Sequence, residues 1–120
     1  MKIGYARVST KDQGLENQRA RLEATGCEIF FEEKISGAAK KRPQLEKLLS
    51  QRRKDDVLVV TKLDRLARST SELLRIAEVL NEENVGLQSL DEPWADTTTP
   101  AGKMIMTVFG GIAEFERSLI

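Results

Sequence analysis

Apolar positions open the chain in a short dense run: Ile3, Tyr5, Ala6 and Val8 within "KIGYARV" predict a strand over residues 2 to 8. The period then changes. Thr10-Lys-Asp-Gln13 has the T-x-x-Q form of a capping box and predicts a helix running to about Thr25, with Gly26 as the residue just past its end. "CEIFFEE" predicts a second strand, and "RPQLEKLLSQ" a second helix with Pro43 in its first turn and Leu45, Leu48 and Leu49 on one face. Between them "KISGAAKKR", with small residues, a glycine and a basic run, predicts a loop. "DVLVVTK" is almost continuously apolar between charges, the pattern of a strand buried on both faces. "STSELLRIAEVLNEEN" keeps Leu73, Leu74, Ala77 and Leu80 in helical register; "VGLQSL" follows as a fourth strand and "DEPWADTT" as a loop, with Trp94 over the sheet edge.

Strand and helix alternating four times over define an α/β class: a small open, mainly parallel sheet with helices on both faces. The final segment adds a long C-terminal helix. With Thr99 as N-cap and Pro100 at the first helical position, "AGKMIMTVFGGIAEFERSLI" reads as one helix of roughly 30 Å without a terminating signal. The reading divides the chain into a core over about 1–99 and the start of an oligomerisation helix over 100–120 that is expected to continue in a longer parent. Met104, Ile105, Met106, Val108, Phe109 and Ile112 make the first half of this helix apolar on more than one face, which points to self-association rather than to a helix central to its own domain.

Composition narrows the chemistry. In 120 residues there are 19 basic and 19 acidic side chains, so any anionic partner must be met by a local patch rather than by net charge. The absence of histidine removes Ser-His-Asp and Cys-His catalysis and most zinc or non-haem iron sites. A single cysteine, Cys27, cannot form an internal disulfide and reads as a small core hydrophobe. No run approaches a signal or membrane-spanning segment, and the cytoplasm is the expected location.

In open parallel sheets ligands bind beyond the carboxyl ends of the strands. Arg7 and Ser9 close the first strand, Ser36 and Arg42 lie in the loop after the second, and Lys62, Asp64, Arg65 and Arg68 follow the third in "KLDRLARS". Guanidiniums stay charged and match phosphate oxygens with forked donors, while a hydroxyl among them suits attack on phosphorus. Asp64 is placed to orient an arginine or to move a proton. Each residue has a plainer reading alone: Ser9 as a helix N-cap, Arg7 as a solvated charge, "KKR" as a solvated loop, "KLDRLARS" as a polar loop before a helix capped by Ser69 or Ser71. Their joint position on one rim favours phosphoryl chemistry.

"YARVSTKDQ" and "VTKLDRLARS", with "SG" and Arg42 between them and "AEFER" near the end, resemble the catalytic domain of the serine site-specific recombinases, the resolvase/invertase family, over essentially the whole chain. The resemblance implies that Ser9 attacks a DNA phosphodiester to give a 5′-phosphoserine linkage and a free 3′-hydroxyl, with no ATP, cofactor or obligatory metal. It assigns catalytic roles to Arg7, Arg42, Lys62, Asp64, Arg65 and Arg68, and supporting roles to Tyr5, Gln13 and Ser36. It implies double-stranded DNA as partner and a homodimer assembling to a synaptic tetramer, with no membrane partner. The interface on the long helix would comprise Met104, Ile105, Val108, Phe109, Ile112, Phe115, Glu116 and Arg117. Two residues depart from the common family pattern: Ala67 stands where many members have Gly, and Glu33 where relatives often have Asp. Family members also carry a C-terminal DNA-binding region, which is expected outside this chain, and the loop 34–42 is expected to be mobile without DNA. Two competing readings share the architecture. A non-catalytic anion-binding module would use the same rim, and a response-regulator-like receiver would need clustered carboxylates where Arg7 stands.

Overall fold

The structure is a computed structural model that describes residues 1–8, 14–35, 42–51, 53–67 and 69–119, without the side chains of Ala113 and Arg117. Ser9, Gln13, Ser36 and Arg68 lie outside the described residues, as do the predicted capping box and the middle of the loop expected to be mobile.

Four strands, β1 (Lys2–Val8), β2 (Ile29–Lys34), β3 (Val57–Val60) and β4 (Gly86–Ser89), form a wholly parallel sheet in the order β2-β1-β3-β4. Helices α1 (Leu15–Ala24), α2 (Pro43–Gln51), α4 (Thr70–Glu82) and α5 (Pro100–Ser118) are those the sequence predicts, and α3 (Leu63–Leu66) is a short helix inside the stretch read as a polar loop. Alternation along β1 decides which helix each residue meets. Ile3 and Tyr5 join Phe31, Leu58, Val60 and Leu87 in the larger core beneath α2 and α4, while Ala6 joins Val59, Cys27 and Leu22 of α1 on the opposite face. Arg7 shares the parity of Tyr5, so its side chain enters on the α2 and α4 face. Its register partner across the sheet is Glu33.

Local chemistry sets the ends. Gly26 takes φ of +96° immediately after α1, a conformation that favours glycine. Ser69 Oγ accepts the Glu72 amide at 3.2 Å and starts α4, and Thr99 Oγ1 accepts the Gly102 amide at 3.0 Å and starts α5. A Cβ on Gly102 would lie 1.9 Å from the Asp96 carbonyl oxygen, so the first turn of α5 closes on the preceding loop only because that side chain is missing. The edge of β4 is covered by Thr97 rather than by Trp94: Thr97 Oγ1 accepts the Leu87 amide at 2.7 Å, and the Thr97 amide donates to the Leu87 carbonyl at 2.9 Å. Trp94 instead stands edge-on to Phe109 of α5, with ring centres 5.9 Å apart.

Only Met106 of the large apolar residues described on α5 is buried, whereas Met104, Val108, Phe109, Ile112 and Phe115, and Leu119 just past its end, are 40% to 70% exposed. Met104, Val108, Ile112, Phe115 and Leu119 recur at helical spacing and form one stripe. Among the described residues no helix is long and apolar enough to cross a membrane.

Candidate active site

The rim is organised around the one-turn helix α3. A helix of four residues has almost no internal hydrogen bonding, so its carbonyls need outside donors. The guanidiniums supply them. Arg7 Nη2 donates to the Asp64 carbonyl at 2.7 Å and Nε to the Arg65 carbonyl at 3.1 Å, and Arg42 Nη1 donates to the Leu66 carbonyl. Arg42 also pairs with Glu72 Oε1 at 3.3 Å. Both arginines are interior side chains, 7% and 5% exposed, which corrects the plainer reading of Arg7 as a solvated charge.

Two residues outside the predicted set hold this arrangement. Gln18 of α1 pairs with both backbone groups of Arg7: its Oε1 accepts the Arg7 amide at 3.3 Å and its Nε2 donates to the Arg7 carbonyl at 3.0 Å. Glu33, noted in the sequence only for standing where Asp is common, is buried. It accepts the amides of Gln44 at 3.1 Å and Leu45 at 3.2 Å, capping α2, and the Tyr5 hydroxyl at 2.5 Å. A carboxylate at these first amides suits the positive end of the helix and fixes where α2, and with it Arg42, begins. The sequence signal was the Pro43 start of α2 without a capping residue of its own. The partner for that start lies on β2, the strand that precedes α2 in the chain.

Electrostatics at the rim are unfavourable by construction. Burial, followed by the neighbouring charge of Arg42, pushes the Arg7 guanidinium below its ordinary pKa, and Arg65 adds to this; the Tyr5 and Asp64 side chains work the other way. Tyr5 is pushed well above the ordinary phenol value by burial and by its hydrogen bond to Glu33, so it is a neutral donor that supports the site from beneath. Lys62 and Asp64 are exposed on the outer side of α3. Asp64 Oδ1 lies 4.0 Å from Arg65 Nε, and Lys62 Nζ lies 4.0 Å from Asp91, which Arg21 Nη2 holds at 2.6 Å. The structure thus brings Tyr5, Arg7, Arg42, Asp64 and Arg65 together, with Lys62 at the margin. Among the described residues no group of three or more His, Cys, Asp or Glu is placed to hold a metal ion.

Guanidiniums grouped at the carboxyl end of a central parallel strand have the donor chemistry that suits anions. Comparison with known proteins gives the chain's family. The family model described as the resolvase N-terminal domain matches residues 2–120, and the chain belongs to this family. It is 46% identical over 120 residues to the DNA-invertase of Escherichia phage P1, covering all of this chain and 64% of that protein. Against the transposon Tn552 resolvase of Staphylococcus aureus it is 46% identical over 121 residues, covering all of this chain and 61% of that protein. The chain therefore spans less than two thirds of the length of these curated relatives. The fold matches the crystal structure of the N-terminal catalytic domain of TP901-1 integrase with a TM-score of 0.82 at 32% identity, over 99% of this chain and 98% of that one.

Proposed function

We propose that this chain is the strand-cleaving and rejoining unit of a serine recombinase, with Ser9 as nucleophile. The observation that carries the reading is the buried pair Arg7 and Arg42, two like charges brought near each other, with Ser9 two positions after Arg7 in the sequence. The forked donors of arginines grouped at the carboxyl end of a strand suit an anion with several oxygens. A phosphodiester in the transition state of displacement is that anion. Ser9 Oγ gives up its proton as it forms the bond to phosphorus, the P–O3′ bond breaks, and the leaving 3′-oxygen takes up a proton; the reverse step rejoins an exchanged strand. Arg7, Arg42, Arg65 and Arg68 stabilise the phosphoryl oxygens, Lys62 and Asp64 flank them, and Tyr5, Gln13 and Ser36 support the constellation. Its relatives include an invertase, a resolvase and an integrase, so the reading stops at site-specific strand exchange on double-stranded DNA in the cytoplasm or nucleoid.

Assembly is proposed through α5. Its exposed stripe, together with Phe109, Glu116 and Arg117, pairs with a second copy to give a dimer, and two dimers form the synaptic tetramer. A groove of about 1120 Å³ between α2, α4 and α5, lined by Leu45, Leu74 and, on a different face of α5 from the stripe, Met106 and Gly110, reaches Arg42 and Glu72.

The test fuses the chain to a DNA-binding module of known site, presents a duplex with flanking sites, and resolves protein and DNA on a denaturing gel. A covalent adduct at the 5′ end that disappears in Ser9→Ala supports the reading. Assembly on DNA without any adduct in either protein transfers support to the anion-binding module.

A further inference from the structure

Helix α3 has no cap of its own. Lys62, the residue before it, is extended at φ −144° and ψ 149°, and its side chain makes no capping hydrogen bond. The first amide of the helix, Leu63 N–H, donates instead to Glu92 Oε1 at 3.0 Å, from a loop 29 positions away. The same oxygen accepts the Ser89 hydroxyl at 2.5 Å, and Ser89, at the end of β4, is 1% exposed. One carboxylate oxygen therefore ties the last residue of β4 to the first of α3. At the other end, three successive carbonyls, of Asp64, Arg65 and Leu66, receive Arg7 and Arg42. The short helix is a connector with an acid at one end and two guanidiniums at the other. Its four residues have too few hydrogen bonds of their own to fix its position.

We infer that Glu92 is a positioning residue for the rim: by fixing the first amide of α3 it sets the carbonyls that hold Arg7 and Arg42. The catalytic part of this inference rests on the proposed function; the structural part does not. Glu92 itself touches neither guanidinium in the described contacts. Its effect is transmitted through the backbone of residues 63–66. The side chain needs an acceptor oxygen at the reach of a glutamate. Glutamine keeps that oxygen, aspartate withdraws it by one methylene, and alanine removes it.

The experiment follows the Arg7 Nε–H proton by NMR in the whole 120-residue chain with ¹⁵N-labelled arginine, the signal being assigned with Arg7→Lys. Glu92→Ala should speed its exchange with water by about tenfold or more, Glu92→Asp by less, and Glu92→Gln should restore slow exchange. Leu22→Ala, a truncation in the core on the opposite face, controls for general loosening and should leave the Arg7 proton slow. In fusions to a DNA-binding module, the same order of variants should appear in adduct formation, with Glu92→Ala slowed about tenfold or more while DNA binding stays within about twofold. Unchanged Arg7 exchange in Glu92→Ala overturns the inference, as does equal acceleration in Leu22→Ala. If Glu92→Ala does not fold, Glu92→Asp against Glu92→Gln decides on the same readout. The exchange measurement uses no DNA, so loss of every adduct with the Arg7 result intact overturns only the proposed function.

Discussion

Arg7 on β1 and Phe115 on α5 both sit against the preference of their side chains, one a charge in the interior and the other an aromatic ring in water. The fold treats them differently. Around Arg7 the chain supplies two carbonyls from α3, backbone pairing from Gln18 and a second arginine held by Glu72 and Leu66, so the site's scaffold is completed within one copy. The α5 stripe of Met104, Val108, Ile112, Phe115 and Leu119 is instead left about half or more exposed, and beside it Trp94 stands edge-on to Phe109. A charge left unsatisfied in the interior costs the fold directly, whereas an exposed apolar stripe is tolerated until a partner arrives. On the proposed function, chemistry is built into the monomer and assembly is left to its surface.

The comparison breaks first at Arg7. Arg7→Lys keeps a charge but loses the fork that reaches two carbonyls at once, and adduct formation should fall by about 100-fold or more while far-ultraviolet circular dichroism is retained. An adduct rate within a few-fold of the parent would show that the carbonyl contacts are incidental. Next comes the root of α5. Gly102→Ala places a methyl where the Asp96 carbonyl already stands, and thermal unfolding should show a loss of about 1–3 kcal/mol. A smaller loss follows from alkaline pH. The phenol of Tyr5 has its folded-state pKa raised, so the neutral form is the one the fold binds. That contribution is complete below the unfolded value of about 10 and is lost as pH rises through the folded value. Urea unfolding of the parent should weaken above about pH 10, and Tyr5→Phe should remove that part of the slope. The smallest effect on the fold is expected on α5: Phe115→Arg should change unfolding free energy by no more than about 0.5 kcal/mol. Sedimentation equilibrium should nevertheless show it shifted toward monomer. Core destabilisation without a change in association would reverse the assignment of the two regions.

Most of the element pattern was legible in the chain because period is a local property. The β1 run, the Pro43 start of α2, the Ser69 and Thr99 caps and the apolar stripe of α5 all lie within a few residues of the feature they determine. Helix α3 escaped because four polar-flanked residues give no period, although Leu63 and Leu66, three apart and both buried, were its trace. The placement of Arg7, Arg42 and Arg65 on one rim followed from the rule for parallel sheets. What holds them did not. Glu33 acts on residues 44 and 45, Glu92 on Leu63 and Arg7 on carbonyls 57 and 58 positions away, and such pairings follow only from strand order and register. The burial of Arg7 is the plainest case. A charged residue at a strand end looks solvated until the carbonyls of a distant turn are placed over it.

The account stands or falls on Ser9. The fusion protein is incubated with its target duplex, quenched, digested with protease and nuclease, and the peptide containing Ser9 is weighed and fragmented by mass spectrometry. The account predicts a nucleotide joined through its 5′-phosphate to Ser9 Oγ, absent from the Arg7→Lys protein at the same time point. A nucleotide mapped to any other side chain, or an unmodified Ser9 peptide from DNA that has been cut, would contradict it.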